Sequence, residues 1–224
     1  MSELHLTPRP EMSLLITKQP QTPLPTTPQP SPLLALPAET RNQIYALLLT
    51  SAHIPALRKI STRGHISDYI LPTLHLTPSL LRTCHQIHNE ALGILYGSNT
   101  FAAHPSLLTS MPHLISPRAP ILRGPGLGLI RRWYIHVRID VDARFDAVQV
   151  KAAFSGAEAL EVDVFQAVYG DCDLDVLRLF EGVRGVGTAV VGGSTGAREY
   201  AKWLERVMME PVGREVVPFG HGEW

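Results

Sequence analysis

The chain has 224 residues, enough for one or two domains, and its 45% hydrophobic content is that of a folded protein rather than a disordered one. Twenty basic side chains balance twenty acidic ones with no basic run, which argues against nucleic acid as a partner, because counterion release needs clustered Lys and Arg. Cys84 and Cys172 cannot build a disulfide framework, no apolar run reaches the ~20 residues that span a bilayer, and no signal-peptide pattern opens the chain, so cytosol or nucleus is the expected setting.

Residues 1–33 hold eight of the nineteen prolines and only four charged side chains. Proline removes backbone donors and fixes φ, so this stretch is expected to be a disordered, polyproline-like arm. A helical region is expected over 34–101. Its first helix starts at Leu36-Pro37, since proline is tolerated in a first turn, and Glu39 then sits near the positive end of the helix dipole. Ile44, Leu47 and Leu48 follow at i, i+3, i+4 spacing and make one apolar face. Residues 51–78 read as an irregular insertion, with room for a short strand pair around Ile60 and Ile70.

A second helix is expected from Ser79, with Leu80, Cys84, Ile87, Ala91 and Ile94 forming its apolar stripe and Gly97 closing it. Thr100 and Phe101 suit an extended segment. Residues 102–128 carry five prolines and three glycines and read as a linker with at most one short helix. Beyond it, Trp133, Ile135, Val137, Ile139 and Val141 alternate with polar residues, the pattern of a strand. Leu160, Val162 and Val164 do the same, and Val186–Val191 makes a third strand. Helices are expected at about 143–154, 173–182 and 195–209, the last with Tyr200, Ala201, Leu204, Val207 and Met208 on one face.

The segment Phe154–Val164 aligns weakly with Phe180–Val190, sharing Phe, Gly and the final Val. Strand–helix–strand order demands a parallel sheet with right-handed crossovers. Residues 129–224 therefore read either as degenerate leucine-rich-like β-α units or as an ordinary small α/β sheet. The fold class expected is α+β, a helical unit followed by that sheet.

Signals for chemistry are weak. Cys84 and His88 lie one turn apart, but a structural zinc needs four ligands and no second pair is suitably spaced, so a buried thiol on the apolar stripe is the expected role of Cys84. The turn Gly192-Gly193-Ser194-Thr195-Gly196 joins a strand to a helix, a setting that can take phosphate. It lacks the P-loop Lys-Ser/Thr, and a tight turn with Ser194 or Thr195 as N-cap is the plainer reading. No Gly-x-Ser-x-Gly elbow is present, and Asp171, Cys172 and Asp173 form no nucleophile motif. No catalytic residue, metal or cofactor is expected.

Two helix signatures stand out instead. One is Leu36-Pro37-x-Glu39-x-Arg41-x-x-Ile44-Tyr45-x-Leu47-Leu48. The other is Leu80-Leu81-x-Thr83-Cys84-x-Gln86-Ile87-x-x-Glu90-Ala91-x-x-x-Leu95-Tyr96-x-x-Asn99-Thr100-Phe101. Together they resemble the F-box-like families of filamentous ascomycetes named for a Glu-x-Arg motif. The resemblance covers about residues 34–101. It implies a non-enzymatic adaptor in which Leu36, Pro37, Ile44, Leu48 and Leu81 contact a Skp1-like protein of a cullin ubiquitin ligase, while the C-terminal sheet holds an unknown protein. Glu39, Arg41, Cys84, Glu90, Tyr96, Asn99 and Phe101 are the structural signature. They are open to a second reading in which Glu39, Arg41 and Glu90 form an inter-helix ion pair and Tyr96 and Phe101 pack under the first helix. Two other classes also remain open, a structural protein with no retained ligase role and a small α/β ligand-binding protein or enzyme using the glycine turn at 192–196. The latter reading expects a concave pocket at the carboxyl ends of the strands.

Overall fold

The structure, a computed structural model, describes residues 31–51, 76–114, 120–122, 124–166, 174–193, 196–215 and 218–220. Most of the proline-rich arm, the body of the insertion with its expected strand pair, and Asp171, Cys172, Asp173, Ser194 and Thr195 lie outside the described residues. Met1–Leu36 and Pro37–Trp224 are two units. Of the first, residues 31–36 form a helical turn in which the Leu36 N–H donates to the Leu33 carbonyl (3.3 Å).

The second unit is mixed α and β, with five helices and one five-stranded sheet among the described residues. Helix α1 (Ala38–Leu49) is followed by a 3-10 turn (Pro78–Arg82) and helix α2 (His85–Ser98). Strands β1 (Thr100–His104) and β2 (Leu108–His113) form a hairpin. A second 3-10 turn (Leu127–Leu129) precedes strand β3 (Arg132–Arg138). Helix α3 (Ala147–Phe154), strand β4 (Ala159–Phe165), helix α4 (Asp175–Arg178), strand β5 (Thr188–Gly193) and helix α5 (Arg198–Met209) complete the order. The sheet runs β2-β1-β3-β4-β5, with β1, β3, β4 and β5 parallel and β2 antiparallel at one edge.

Period-2 alternation sends Phe101, Trp133, Ile135, Val137, Leu160, Val162, Val164 and Val191 to one sheet face. Val150 and Phe154 of α3, Leu177 of α4, Phe180 just after α4, and Leu204 and Met208 of α5 cover that face and complete the core. A line of rings runs through it: Trp133 meets Phe154 edge-on (6.1 Å between centroids), Phe154 stacks on Phe180 (6.2 Å), and Phe180 meets Phe145 edge-on (6.3 Å). Helix α3 begins on a reciprocal cap. The Gln149 N–H donates to Asp146 Oδ1 (2.8 Å) and Gln149 Oε1 accepts from the Asp146 N–H (3.0 Å). Edge strand β5 has one N–H occupied by a side chain, since Glu205 Oε1 accepts from the Val191 N–H (2.7 Å).

Several expectations are corrected. The stretch 102–128 contains strand β2 and most of β1, and the hairpin turn is held by His104 Nδ1, which accepts from the N–H of Ser106 (3.1 Å) and of Leu107 (3.2 Å). The second helix starts at His85, not Ser79, so Leu80 and Leu81 belong to the 3-10 turn and the buried stripe is Ile87, Ala91 and Leu95. Gly97 lies inside α2, and Asn99 is the C-cap. The α4 segment is a single turn, shorter than the expected 173–182. The weak repeat slips as well: Phe154 and Phe180 are 26 positions apart, but β4 and β5 pair at 29, Leu160 opposite Ala189. At that offset Gly156 (φ +78°) and Gly185 (φ +72°) coincide, each turning a corner in the left-handed region that glycine favours.

Candidate interaction face and cleft

Arg41, Tyr45 and Leu49 recur at i, i+4, i+8 and are the buried face of α1, which packs on α2. The sequence pattern had placed Ile44, Leu47 and Leu48 on the apolar face, because periodicity counts only apolar side chains. An arginine occupies the centre of the contact because its charge is matched. Arg41 Nη2 donates to Glu90 Oε1 (2.6 Å) and Arg41 Nε to Glu90 Oε2 (2.9 Å), a bidentate pair. The Tyr45 hydroxyl adds a bond to Oε2 (3.0 Å) and the Gln86 amide one to Oε1 (3.0 Å).

The Arg41 hydrogen bonds above all, then that of Gln86, hold the Glu90 carboxyl down at about 2. Burial, then the bond to Glu90, pushes the Tyr45 hydroxyl up. A carboxyl depressed in the folded state stabilises the fold above its unfolded value of 4.5 and loses that contribution as pH falls toward about 2. Glu90→Gln should therefore lower the thermal midpoint above about pH 4.5, with the gap from wild type closing toward about pH 2. Parallel midpoint curves across that range would show that Glu90 carries no such linkage.

Asn99 ties the far ends of the two helices. Its Nδ2 donates to the carbonyls of Leu49 (2.6 Å) and Leu95 (2.7 Å), and its Oδ1 accepts from the Ser51 N–H (2.8 Å). Tyr96 stacks on Phe101 (5.5 Å), and both join the sheet core. Gly126 lies against the Tyr96 ring, where a Cβ would come within 2.3 Å of it. Glu39 is exposed and outside the ion pair, contrary to expectation. Cys84 is likewise no buried thiol: it is the exposed N-cap of α2, its Sγ accepting from the Ile87 N–H (3.5 Å).

The residues expected to meet a partner are placed differently from one another. Leu47 is 83% exposed, with Ile44 and Leu48 half-buried beside it on one flank of α1. Pro37 is the exposed N-cap residue, and Leu81 is half-buried in the 3-10 turn. Leu36 belongs to the other unit and is exposed there.

A cleft of about 610 Å³ lies beyond the carboxyl end of β5, where the glycine turn leads into α5. Arg178, Glu181, Arg198, Tyr200 and Phe219 line it, with Leu174 on its apolar side. The Tyr200 hydroxyl donates to Glu181 Oε1 (2.6 Å), and Tyr200, Trp203 and Phe219 pack with ring centroids 5.3–5.5 Å apart. Burial first, then Glu181, raises the Tyr200 hydroxyl well above its ordinary range, so it remains a donor. Gly196 borders the cleft, and at Gly193 (φ +88°) a Cβ would fall 2.1 Å from the Val164 carbonyl oxygen.

The face of the sheet opposite the core carries a polar cluster that no linear motif announces. Buried Asp163 of β4 accepts from the Tyr134 hydroxyl (2.8 Å) and lies 3.2 Å from His136 Nδ1, both on β3. His136 Nε2 is buried and has no hydrogen bond among the described residues. Alternation already sets Tyr134 and His136 on one face, but only the parallel register, His136 opposite Asp163, brings in the carboxylate. No helix among the described residues is long and apolar enough to cross a membrane. No family model, no curated protein and no solved structure matches this chain.

Proposed function

We propose that this protein is a non-enzymatic, F-box-like adaptor of the cytosol or nucleus that offers the outer flank of α1 to a Skp1-like scaffold protein. One observation carries the reading. The signature's polar residues Arg41, Glu90 and Asn99 are consumed between the helices, while Ile44, Leu47 and Leu48 remain on the flank. Three clustered aliphatic side chains on one short helix suit a helix-packing partner. The C-terminal sheet, in this reading a set of leucine-rich-like units, would take the second protein.

The test is co-elution of the full chain with a fungal Skp1. Wild type should form the complex, and an Ile44→Asp/Leu47→Asp variant with an unchanged circular dichroism spectrum should lose it. No complex with folded wild type, or an undiminished one with the variant, would overturn the reading. A second reading is supported by the cleft: a small-molecule site between α4 and the first turn of α5, of the volume such sites have.

A further inference from the structure

The cleft beyond β5 has a volume within the ~300–1,000 Å³ range of small-molecule sites. Its charges differ in how far they are already satisfied. Arg178 is held by Asp175 (2.9 Å). Arg198, at the start of α5, has no hydrogen bond or ion pair among the described residues. Glu181 has one oxygen fixed by Tyr200, and its Oε2 carries no hydrogen bond among the described residues. Glu199, exposed next to Arg198, lines the cleft as well, so a guanidinium unpaired among the described residues, a half-paired carboxylate and a second, exposed carboxylate share one concavity, with Leu174 and Phe219 as its apolar surface.

A purely anionic guest would be placed beside Glu181, and a purely cationic one beside Arg198. Desolvating a charge next to its like is unfavourable on both counts, and only a guest bearing both signs leaves neither group unmatched. The ring of Phe219, packed on Tyr200 and part-exposed in the cleft, adds attraction for an ammonium group. Resting on the small-molecule reading of the cleft, we propose that it binds a zwitterion of the α-amino-acid class with an apolar side chain, its ammonium toward Glu181, its carboxylate toward Arg198 and its side chain against Leu174 and Phe219.

Three probes separate the possibilities: L-phenylalanine, N-acetyl-L-phenylalanine, which lacks the ammonium, and phenethylamine, which lacks the carboxylate. Titrated into the full chain by calorimetry, L-phenylalanine should bind with a Kd below about 1 mM, and each of the others at least about tenfold more weakly. Arg198→Ala and Phe219→Ala, with spectra showing intact folds, should each weaken L-phenylalanine by about tenfold or more. Either single-charge probe binding as tightly as L-phenylalanine would overturn the zwitterion assignment and leave the cleft a ligand site of another class. No binding by any of the three would overturn both.

Discussion

Asn99→Ala should destabilise the folded chain by about 3–4 kcal/mol, read as a lower urea midpoint at unchanged slope. Asn99 is 1% exposed and makes three hydrogen bonds, one accepted and two donated. A typical internal bond is worth about 1 kcal/mol net, and orphaning a buried partner adds about 1–3 kcal/mol. In the variant the Leu49 and Leu95 carbonyls, in the last turns of α1 and α2, each lose the bond that the Asn99 amide gives them. Asn99→Asp should do no better than alanine, because it sets an oxygen against those two carbonyls while preserving only the Ser51 contact. A loss under about 1 kcal/mol for both variants would mean that water replaces the amide at no cost, and that the two helices do not depend on this residue.

Phe180→Ala is the second large effect, expected at about 4 kcal/mol. The side chain is fully buried, stacked on Phe154 and edge-on to Phe145, so its removal deletes a ring from the middle of the line rather than from an end. The range for Phe→Ala in a core, about 3–5 kcal/mol, reflects how far neighbours close the hole. Here β4 and the corner after α4 are fixed by the sheet register and leave little room to collapse. Phe180→Leu should recover more than half of the loss, since volume returns while the aromatic contacts, worth about 0.5–1.5 kcal/mol, do not. Val148→Ala, on an exposed position of α3, should stay within about 0.5 kcal/mol of wild type in the same chemical-denaturation series. Equal midpoints for Phe180→Ala and Val148→Ala would refute this account of the core.

Strands β3 and β4 were legible because a parallel strand under a helix layer keeps its period-2 pattern: Trp133, Ile135 and Val137, then Leu160, Val162 and Val164, are core residues in sequence and structure alike. Helix α5 was legible because its buried face, Tyr200, Ala201, Leu204, Val207 and Met208, is wholly apolar or aromatic. Strand β2 was hidden by its composition. Leu108–His113 includes Pro112 and three polar residues, and an edge strand needs little apolar content to pair on one side. The start of α2 was misplaced because Leu80 extends the apolar spacing backwards through a turn of a different kind.

The faces of α1 were assigned wrongly for a reason that no periodicity count can detect. Arg41 enters the contact only because Glu90, 49 residues on, is there to receive it. The same holds for the cleft and for Asp163. The glycine turn was visible in the chain, but Glu181 meets Tyr200 only through the packing of α5 beside the turn after α4, and Asp163 meets Tyr134 only through the sheet register. Patterns within ten residues are local, whereas these pairings are set by topology.

The buried side chains Tyr45, Leu49, Ile87, Ala91 and Leu95 lie outside the apolar core of the sheet, so the contact between α1 and α2 is a cluster apart from it. Such clusters open in partial unfolding events at a free energy below that of the whole chain. Twelve residues of α1 can thus part from α2 while β3, β4 and β5 stay paired. A partner gripping the flank of α1 would make that opening rarer by mass action, adding about 2.7 kcal/mol to its cost at a hundredfold excess over Kd. The polar clasp that fastens the helix is also what sets how readily the chain releases it.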